Sequence, residues 1–283
     1  MPTDAFEEHR PHLRAVAYRM LGSLTEADDA VQEAWLRMQR ADTSVVRNLR
    51  GWLTTVVARI CLDMLRARSA RPEEPLDEAT VVAASDDIDP EAEALLADSI
   101  GVALLVVLQT LSPAERLAFV LHDMFDLPYA EIAPIVGRTE NTAAQLAARA
   151  RRRVRGKTAD PPTDLVHHRK LVDAFLTAAR DGDFDALLSV LDDGVVLHVD
   201  AAAAGTPTTI RGAHAVATNA RTFSANARFA EPALVDGAVA IVVAPKGKLA
   251  LVLRFAFVGD KITEIHIDAD PQKLRRRHLA LLD

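Results

Sequence analysis

At 283 residues with a net charge of −7, the chain is long enough for about two domains, or three small ones, and too acidic to bind nucleic acid indiscriminately. Any DNA contact must come from local basic patches. Nearly half of the residues are apolar, which permits a sizeable core, and the single cysteine, Cys61, excludes an internal disulfide framework. No charge-free apolar run reaches the roughly 18 residues of a membrane span, and the first residues carry no apolar signal region, so a cytoplasmic protein is expected.

Residues 4–70 show helical periodicity. A first helix is predicted over Phe6–Leu21, ended by Gly22 and Ser23. Thr25 is expected to cap a second, over Glu26–Met38, whose Ala27, Ala30, Val31, Ala34 and Met38 form the inward stripe. Asp28, Gln32, Trp35 and Gln39 make a mixed second face, with Asp29 and Glu33 beside it. Acidic groups near a helix N-terminus are favoured by the dipole, while an amphipathic aromatic such as Trp35 suits a partner face; both readings stand. Gly51 then breaks the run and a long helix follows from Trp52, apolar at Leu53, Val56, Val57, Ile60 and Leu65 and basic at Arg50, Arg59, Arg66 and Arg68. Cys61 reads as a small core residue.

Residues 71–100 are acidic and proline-containing, which predicts an extended linker. Ser112-Pro-Ala-Glu115 is a capping box with proline in the first turn. Beyond it, Leu127–Arg155 reads as a short helix, a tight turn at Gly137 and a second helix headed by Arg138 and Thr139, with Thr139 as its cap. Pro134 falls inside the first of these helices, where it removes one hydrogen bond. Leu146, Ala150 and Val154 share the inward face. Glu140, Asn141, Thr142 and Gln145 remain at the exposed N-terminal end, from which a recognition helix reads base edges. Arg149, Arg151, Arg152, Arg153 and Arg155 can neutralise phosphates. A solvated helical hairpin with a basic end also fits.

After Asp160-Pro-Pro-Thr the composition changes. A helix over Leu165–Ala179 buries His168, Val172, Phe175, Leu176 and Ala179, and Asp181-Gly-Asp turns into a second, leucine-rich helix. Beyond Gly194 the period becomes two, with hairpin signals at Asp236-Gly237 and Gly259-Asp260 and alternation through Leu249, Leu251, Leu253, Phe255 and Phe257. Helices followed by an antiparallel meander make an α+β domain. Alternation puts Val196, His198 and Asp200 on one face of one strand, and Glu264, His266 and Asp268 on one face of another. If both faces line the interior, acid–base pairs are possible there. The spacing of His198 and His266 makes no metal site.

Two of these blocks together resemble one family. Asp28–Arg37 and Leu49–Arg66 resemble region two of bacterial sigma factors; Leu111–Asp126 and the helix-turn-helix after it resemble region four. Their order and spacing resemble the extracytoplasmic-function class. The resemblance implies that Asp28, Asp29, Gln32, Glu33 and Trp35 dock on RNA polymerase core. It implies that Arg50, Trp52, Arg59, Asp63 and Arg66 handle the minus-ten promoter element. Arg138, Thr139, Glu140, Asn141, Thr142, Gln145, Arg149 and Arg152 would bind the minus-thirty-five element. Ala144 stands where relatives often carry arginine, which implies either a weaker readout of the minus-thirty-five element or one that rests on Asn141 and Gln145.

The C-terminal half resembles the SnoaL-like, ketosteroid-isomerase-like cone fold, found behind region four in the sigma-J-like group. That group carries an Asp followed by glycines, where this chain has Asp200-Ala-Ala-Ala203, and an Asn-Pro-Asp-Lys-Leu tail, where it has Asp270-Pro-Gln-Lys-Leu274. His198, Asp200, His266, Asp268, Asp270, Pro271, Lys273 and Leu274 are the regulatory or pocket candidates. The expected organisation is thus two all-α sigma domains, 1–70 and 101–157, joined by the linker 71–100, and an α+β regulatory domain, 158–283. The expected function is promoter-specific initiation with RNA polymerase core and promoter DNA as partners, a small-molecule ligand possible in the C-terminal domain, and no cofactor or catalysis. A ligand-responsive DNA-binding regulator and a cone-fold isomerase or hydrolase fused to a DNA-binding module are the alternatives.

Overall fold

The structure is a computed structural model that describes residues 2–42, 46–70, 101–155, 163–222 and 227–282. The acidic stretch 71–100 and the segment holding Asp160-Pro-Pro lie outside them. Contacts divide the chain into two compact units, residues 1–88 with 108–153, and residues 89–107 with 154–283. Among the described residues no helix is long and apolar enough to cross a membrane.

The helices of the first half are α1 (Pro2–Leu21), α2 (Leu24–Arg40), α3 (Leu49–Ala70), α4 (Val102–Gln109), α5 (Pro113–Phe119), α6 (Tyr129–Val136) and α7 (Glu140–Val154). A π-helical turn, Val120–Met124, continues α5. The inward stripe predicted for α2 is buried in full, and Leu24 joins it. That addition moves the cap. Burying Leu24 starts the helix two residues early, so Ser23, not Thr25, accepts from the Glu26 amide, at 3.4 Å. Gly51 likewise does not break α3. It lies in the first turn, where its N–H donates to the Asn48 side chain at 3.0 Å and a Cβ would meet that side chain at 2.7 Å. Phe6, Leu13, Tyr18, Met20, Leu53 and Leu62 are fully buried in this unit. Cys61 is buried as expected, and burial pushes its thiol up to about 12.

The C-terminal unit places α8 (Thr163–Asp181) and α9 (Phe184–Val190) against a seven-stranded sheet. Its strands are β1 (Leu191–Val199), β2 (Thr208–Arg211), β3 (Ala230–Val235), β4 (Ala238–Val243), β5 (Leu251–Val258), β6 (Lys261–Asp268) and β7 (Leu279–Ala280). Short helices α10 (Ala201–Ala204), α11 (Ala213–Thr222) and α12 (Pro271–Leu274) fill the connections. The order is β2-β1-β6-β5-β4-β3-β7. Both predicted two-residue hairpins form; at the first, Asp236 and Gly237 take φ of 53° and 87°, as a type I′ turn demands. The expected antiparallel meander forms over β3 to β6, but β1 departs from it and pairs in parallel with β6, with His198 opposite His266. The intervening elements return the chain to the near edge of the last hairpin, a placement that periodicity cannot reveal. The predicted face of α8 packs on the sheet, with His168 stacked on Phe257 at 4.0 Å and Phe175 edge-on to Phe255 at 5.5 Å.

Candidate nucleic-acid interface

The helix-turn-helix is held by backbone geometry at one residue. Gly137 takes φ 68°, the left-handed conformation in which glycine escapes the Cβ clash, and closes α6 with a bond to the Ala133 carbonyl. Pro134 sits on the exposed side of α6, which still runs to Val136. Thr139 caps α7, its Oγ1 accepting from the Thr142 amide at 3.3 Å. Ala143, Leu146, Ala147, Ala150 and Val154 are buried. Arg138, Thr139, Glu140, Asn141, Gln145, Arg149 and Arg152 are exposed, with Thr142 half-buried beside them. The N-terminal end of α7 is therefore free to enter a groove.

The basic run behind it is braced by carboxylates. Ser112 and Glu115 form the predicted capping box. Glu115, itself buried, also faces Arg149 at 3.4 Å and Arg153 at 3.3 Å. Arg151 donates to the Tyr129 hydroxyl at 2.7 Å and forms an ion pair with Asp123 at 2.7 Å. One buried acid thus sets the cap of α5 and the position of two arginines on α7.

In the first block, Asp29 and Gln32 are exposed on α2. Asp28 pairs with Arg14 at 2.7 and 2.9 Å, Glu33 with Arg37 at 2.9 Å, and the half-buried Trp35 packs on Phe6 at 5.0 Å. The five residues share a solvent-facing surface, as the mixed face predicts. On α3, Arg50, Arg59, Asp63 and Arg66 are exposed and Trp52 is half-buried. Asp63 lies 3.9 Å from Arg66, and Arg50 bonds to His12 Nδ1 at 3.1 Å.

Residues that sequence reasoning passed over, Arg116 and Phe125 foremost, join these blocks. The Arg116 guanidinium, 5% exposed, donates to the Met20 carbonyl at 2.9 Å, at the C-terminus of α1, where a cation meets the negative end of the helix dipole. Burial first, and then the charge of Arg68, bring its pKa down to about 10. Phe125 stacks edge-on to His12 at 5.2 Å and lies under Arg19 at 5.1 Å. Within the first unit, α3 packs on α5 and α6. Nothing in the apolar period marks Arg116 or Phe125, because Arg116 is buried, and Phe125 half-buried, against the other block rather than by its own helix.

His12 gives a pH test of this packing. Its ring bonds to Thr54 at 3.0 Å, and burial first, then the charge of Arg50, pull its pKa down to about 4. The unfolded chain binds that proton near 6.5 and the folded chain refuses it. This group's stabilisation is whole above pH 6.5 and is lost as pH falls from 6.5 towards 4. The His12 ring resonances are expected to stay still between pH 8 and 5, while His12→Gln flattens that part of the stability profile. A ring titrating near 6.5 would contradict the packing.

The comparisons with known proteins agree with this geometry. The family model for Sigma-70 region 2 matches residues 5–71, and that for Sigma-70 region 4 matches residues 101–154. Over 274 residues, 95% of this chain and 93% of the relative, the sequence is 38% identical to the probable ECF RNA polymerase sigma factor SigI of Mycobacterium tuberculosis. The chain belongs to the extracytoplasmic-function RNA polymerase sigma factors. It is also 41% identical over 212 residues, 71% of this chain and 65% of the relative, to the ECF RNA polymerase sigma factor SigJ of the same organism. The crystal structure of that SigJ superposes with a TM-score of 0.48 and 33% sequence identity, covering 96% of this chain and 97% of that one.

In the C-terminal domain of this sigma factor the expected cone-lining residues face the other way. A cavity of about 40 Å³ lies between the sheet, α8 and α11, lined by Leu197, Leu253, Ile265 and Ile267 from the strands and Asn219 among apolar groups from the helices. These strand residues have the parity opposite to His198, Glu264, His266 and Asp268. Those four therefore occupy the outer face, and among the described residues no acid–base pair lines the cavity. The reason is the alternation itself: the apolar neighbours Leu197, Ile265 and Ile267 take the helix-covered side. Apart from Asn219 its lining is apolar.

The remaining candidates build structure. Asp200 accepts from the Ala203, Ala269 and Asp270 amides at 3.0, 2.9 and 3.0 Å, with Lys273 at 3.9 Å, tying the end of β1 to the end of β6. The alanines that replace the glycines form α10 under that cap. Asp270 caps α12, Pro271 opens it, and Leu274 is buried. Asp268 is buried between Arg254 and Arg277, each at 2.8 Å. Burial raises its pKa, but hydrogen bonds and charge from Arg254, then Arg277, outweigh this and hold the carboxyl below its usual range.

Proposed function

We propose that this sigma factor reads its promoters from two faces, α3 and the N-terminal end of α7, while the α2 surface of Asp28, Asp29, Gln32, Glu33 and Trp35 docks on polymerase core. It is a non-enzymatic specificity subunit. The carrying observation is the exposed head of α7, with Asn141 and Gln145 clear of the core and arginines braced behind it. Arg152, Arg59 and Arg66 serve the phosphate backbone, which fixes register without reading sequence.

The direct packing of the two blocks supports regulation by closure. Elements near minus ten and minus thirty-five lie about 25 base pairs, or roughly 80 Å, apart at 3.4 Å per pair. A compact body of some 130 residues is only about 35 Å across. The Arg116–Met20 bond and the His12–Phe125 contact must then part before both elements are engaged. Within the second unit, the Ala103 amide at the head of α4 donates to Glu231 on β3 at 2.8 Å, and the Leu281 amide donates to the Val154 carbonyl at 2.8 Å, so the segments that lead into and out of the helix-turn-helix are attached to the C-terminal domain.

Transcription in vitro with polymerase core on a promoter library tests the reading. Asn141→Ala and Gln145→Ala are expected to relax preference at single upstream positions by about 1–3 kcal/mol each, roughly fivefold to 150-fold. Arg152→Ala should weaken all promoters alike and flatten the salt dependence. A chain that yields no promoter-specific transcript with core polymerase would return the ligand-responsive DNA-binding regulator to the front.

A further inference from the structure

We propose that His198, His266 and Glu264 form a binding site for one divalent transition-metal ion, Zn²⁺ foremost, on the outer face of the C-terminal sheet. The parallel register of β1 and β6 sets His198 beside His266 and Val196 beside Glu264. The two imidazoles, both half-buried, lie face to face, with centroids 4.7 Å apart and planes 17° from parallel. Glu264, two residues along β6 on the same face, brings Oε2 to 3.1 Å from His266 Nε2. One donor atom from each of the three lies within 4.8 Å of the other two.

Two imidazoles and a carboxylate are a donor set that suits borderline metals and leaves one position for water. Tetrahedral ligands about 2.0–2.1 Å from Zn²⁺ stand about 3.3 Å from one another, so closure of roughly 1.5 Å completes the shell. The closure falls to the imidazoles: the rings lie nearly parallel, and rotation about their side-chain torsions turns one nitrogen of each towards a common point, with the exposed Glu264 carboxylate following and the strand pairing fixing the backbone beneath. Thr209, paired with His198 across β2, holds Oγ1 at 3.5 Å from His198 Nδ1, where it can orient the ring from outside the shell. The neighbouring acids do not compete. Asp268 is neutralised by Arg254 and Arg277, and Asp200 is engaged by backbone amides. The ion would clasp β1 to β6, strands distant in sequence.

The test uses the full chain, stripped with a chelator and titrated with Co²⁺, then with Zn²⁺ in competition. The expected result is one tetrahedral Co²⁺ per chain, seen in its visible absorbance and displaced by Zn²⁺. His198→Ala and His266→Ala should each weaken binding tenfold or more, and Glu264→Gln should weaken it while leaving the circular dichroism unchanged. His214→Ala, an exposed histidine on α11, should bind like the parent. Should the histidine variants unfold, Glu264→Gln at its exposed position decides. A parent chain without the tetrahedral spectrum, or parental affinity in Glu264→Gln and in the folded double histidine variant, overturns the site.

Discussion

Arg116→Glu is expected to separate the two promoter-reading blocks. The guanidinium is buried and bonded to the Met20 carbonyl at the negative end of α1. A carboxylate there would be desolvated, unpaired and opposed by the helix dipole, a change on the order of 3–5 kcal/mol. Arg116→Met should do less. It leaves the carbonyl unsatisfied, about 1–3 kcal/mol, but it also removes a charge that burial disfavours. Dyes on Asp29→Cys and Gln145→Cys, both exposed positions, would report the distance between α2 and α7. Cys61 would stay unlabelled, because it is buried and its thiol is pushed up to about 12. The distance should lengthen in Arg116→Glu and match the parent in an exposed-site control such as Glu8→Gln. An unchanged distance would sink the closed arrangement as a gate.

Glu115→Ala is expected to lower the stability of the helix-turn-helix by about 2–3 kcal/mol and to blunt promoter binding with it. The carboxylate accepts from the Ser112 amide and hydroxyl at 3.2 and 2.8 Å and faces Arg149 and Arg153. Losing the cap contributes about 1 kcal/mol, and losing the charged hydrogen bonds of a buried acid about 1–2 more. The exposed arginines contribute little by themselves, since surface pairs are screened. The thermal midpoint of the unit should fall by about 6–9 °C. Glu115→Gln keeps the reach of the cap and should recover part of the loss. If Glu115→Ala melts like the parent yet binds DNA poorly, Glu115 acts on the arginines alone and the cap is incidental.

Local patterns carried much of this architecture. The capping box at Ser112, the left-handed turn at Gly137, the stripe of α2 and the type I′ hairpin at Asp236-Gly237 are each settled by neighbours within a few residues. What the sequence withheld are pairings over long separations. Alternation grouped His198 with Asp200, and Glu264 with His266 and Asp268, but gave no means of choosing which face the helices cover. Leu197 and Ile265 decide that, and they put the polar set outside. The parallel pairing of β1 with β6, the burial of Arg116 by α1 and the grip of Glu231 on α4 all join segments tens of residues apart or more. The same distance hid the His198–His266 neighbourhood, since two histidines 68 positions apart have no motif to betray them. Thr25 and Gly51 were misread for a nearer reason: burial of Leu24 and capping by Asn48 each shifted a helix start by a turn or less.

The pairing of β1 with β6 also sets an order of events during synthesis. All contacts of the first unit are available once Arg153 has been made, whereas β1 has no parallel partner until the ribosome reaches Asp268. At the usual pace of translation that leaves an interval on the order of ten seconds. During it the contacts of the first unit can form, and β1, finished only at Val199, spends the later part with one edge uncovered, so a nascent sigma factor can begin to fold its reader before it possesses the domain fused behind it.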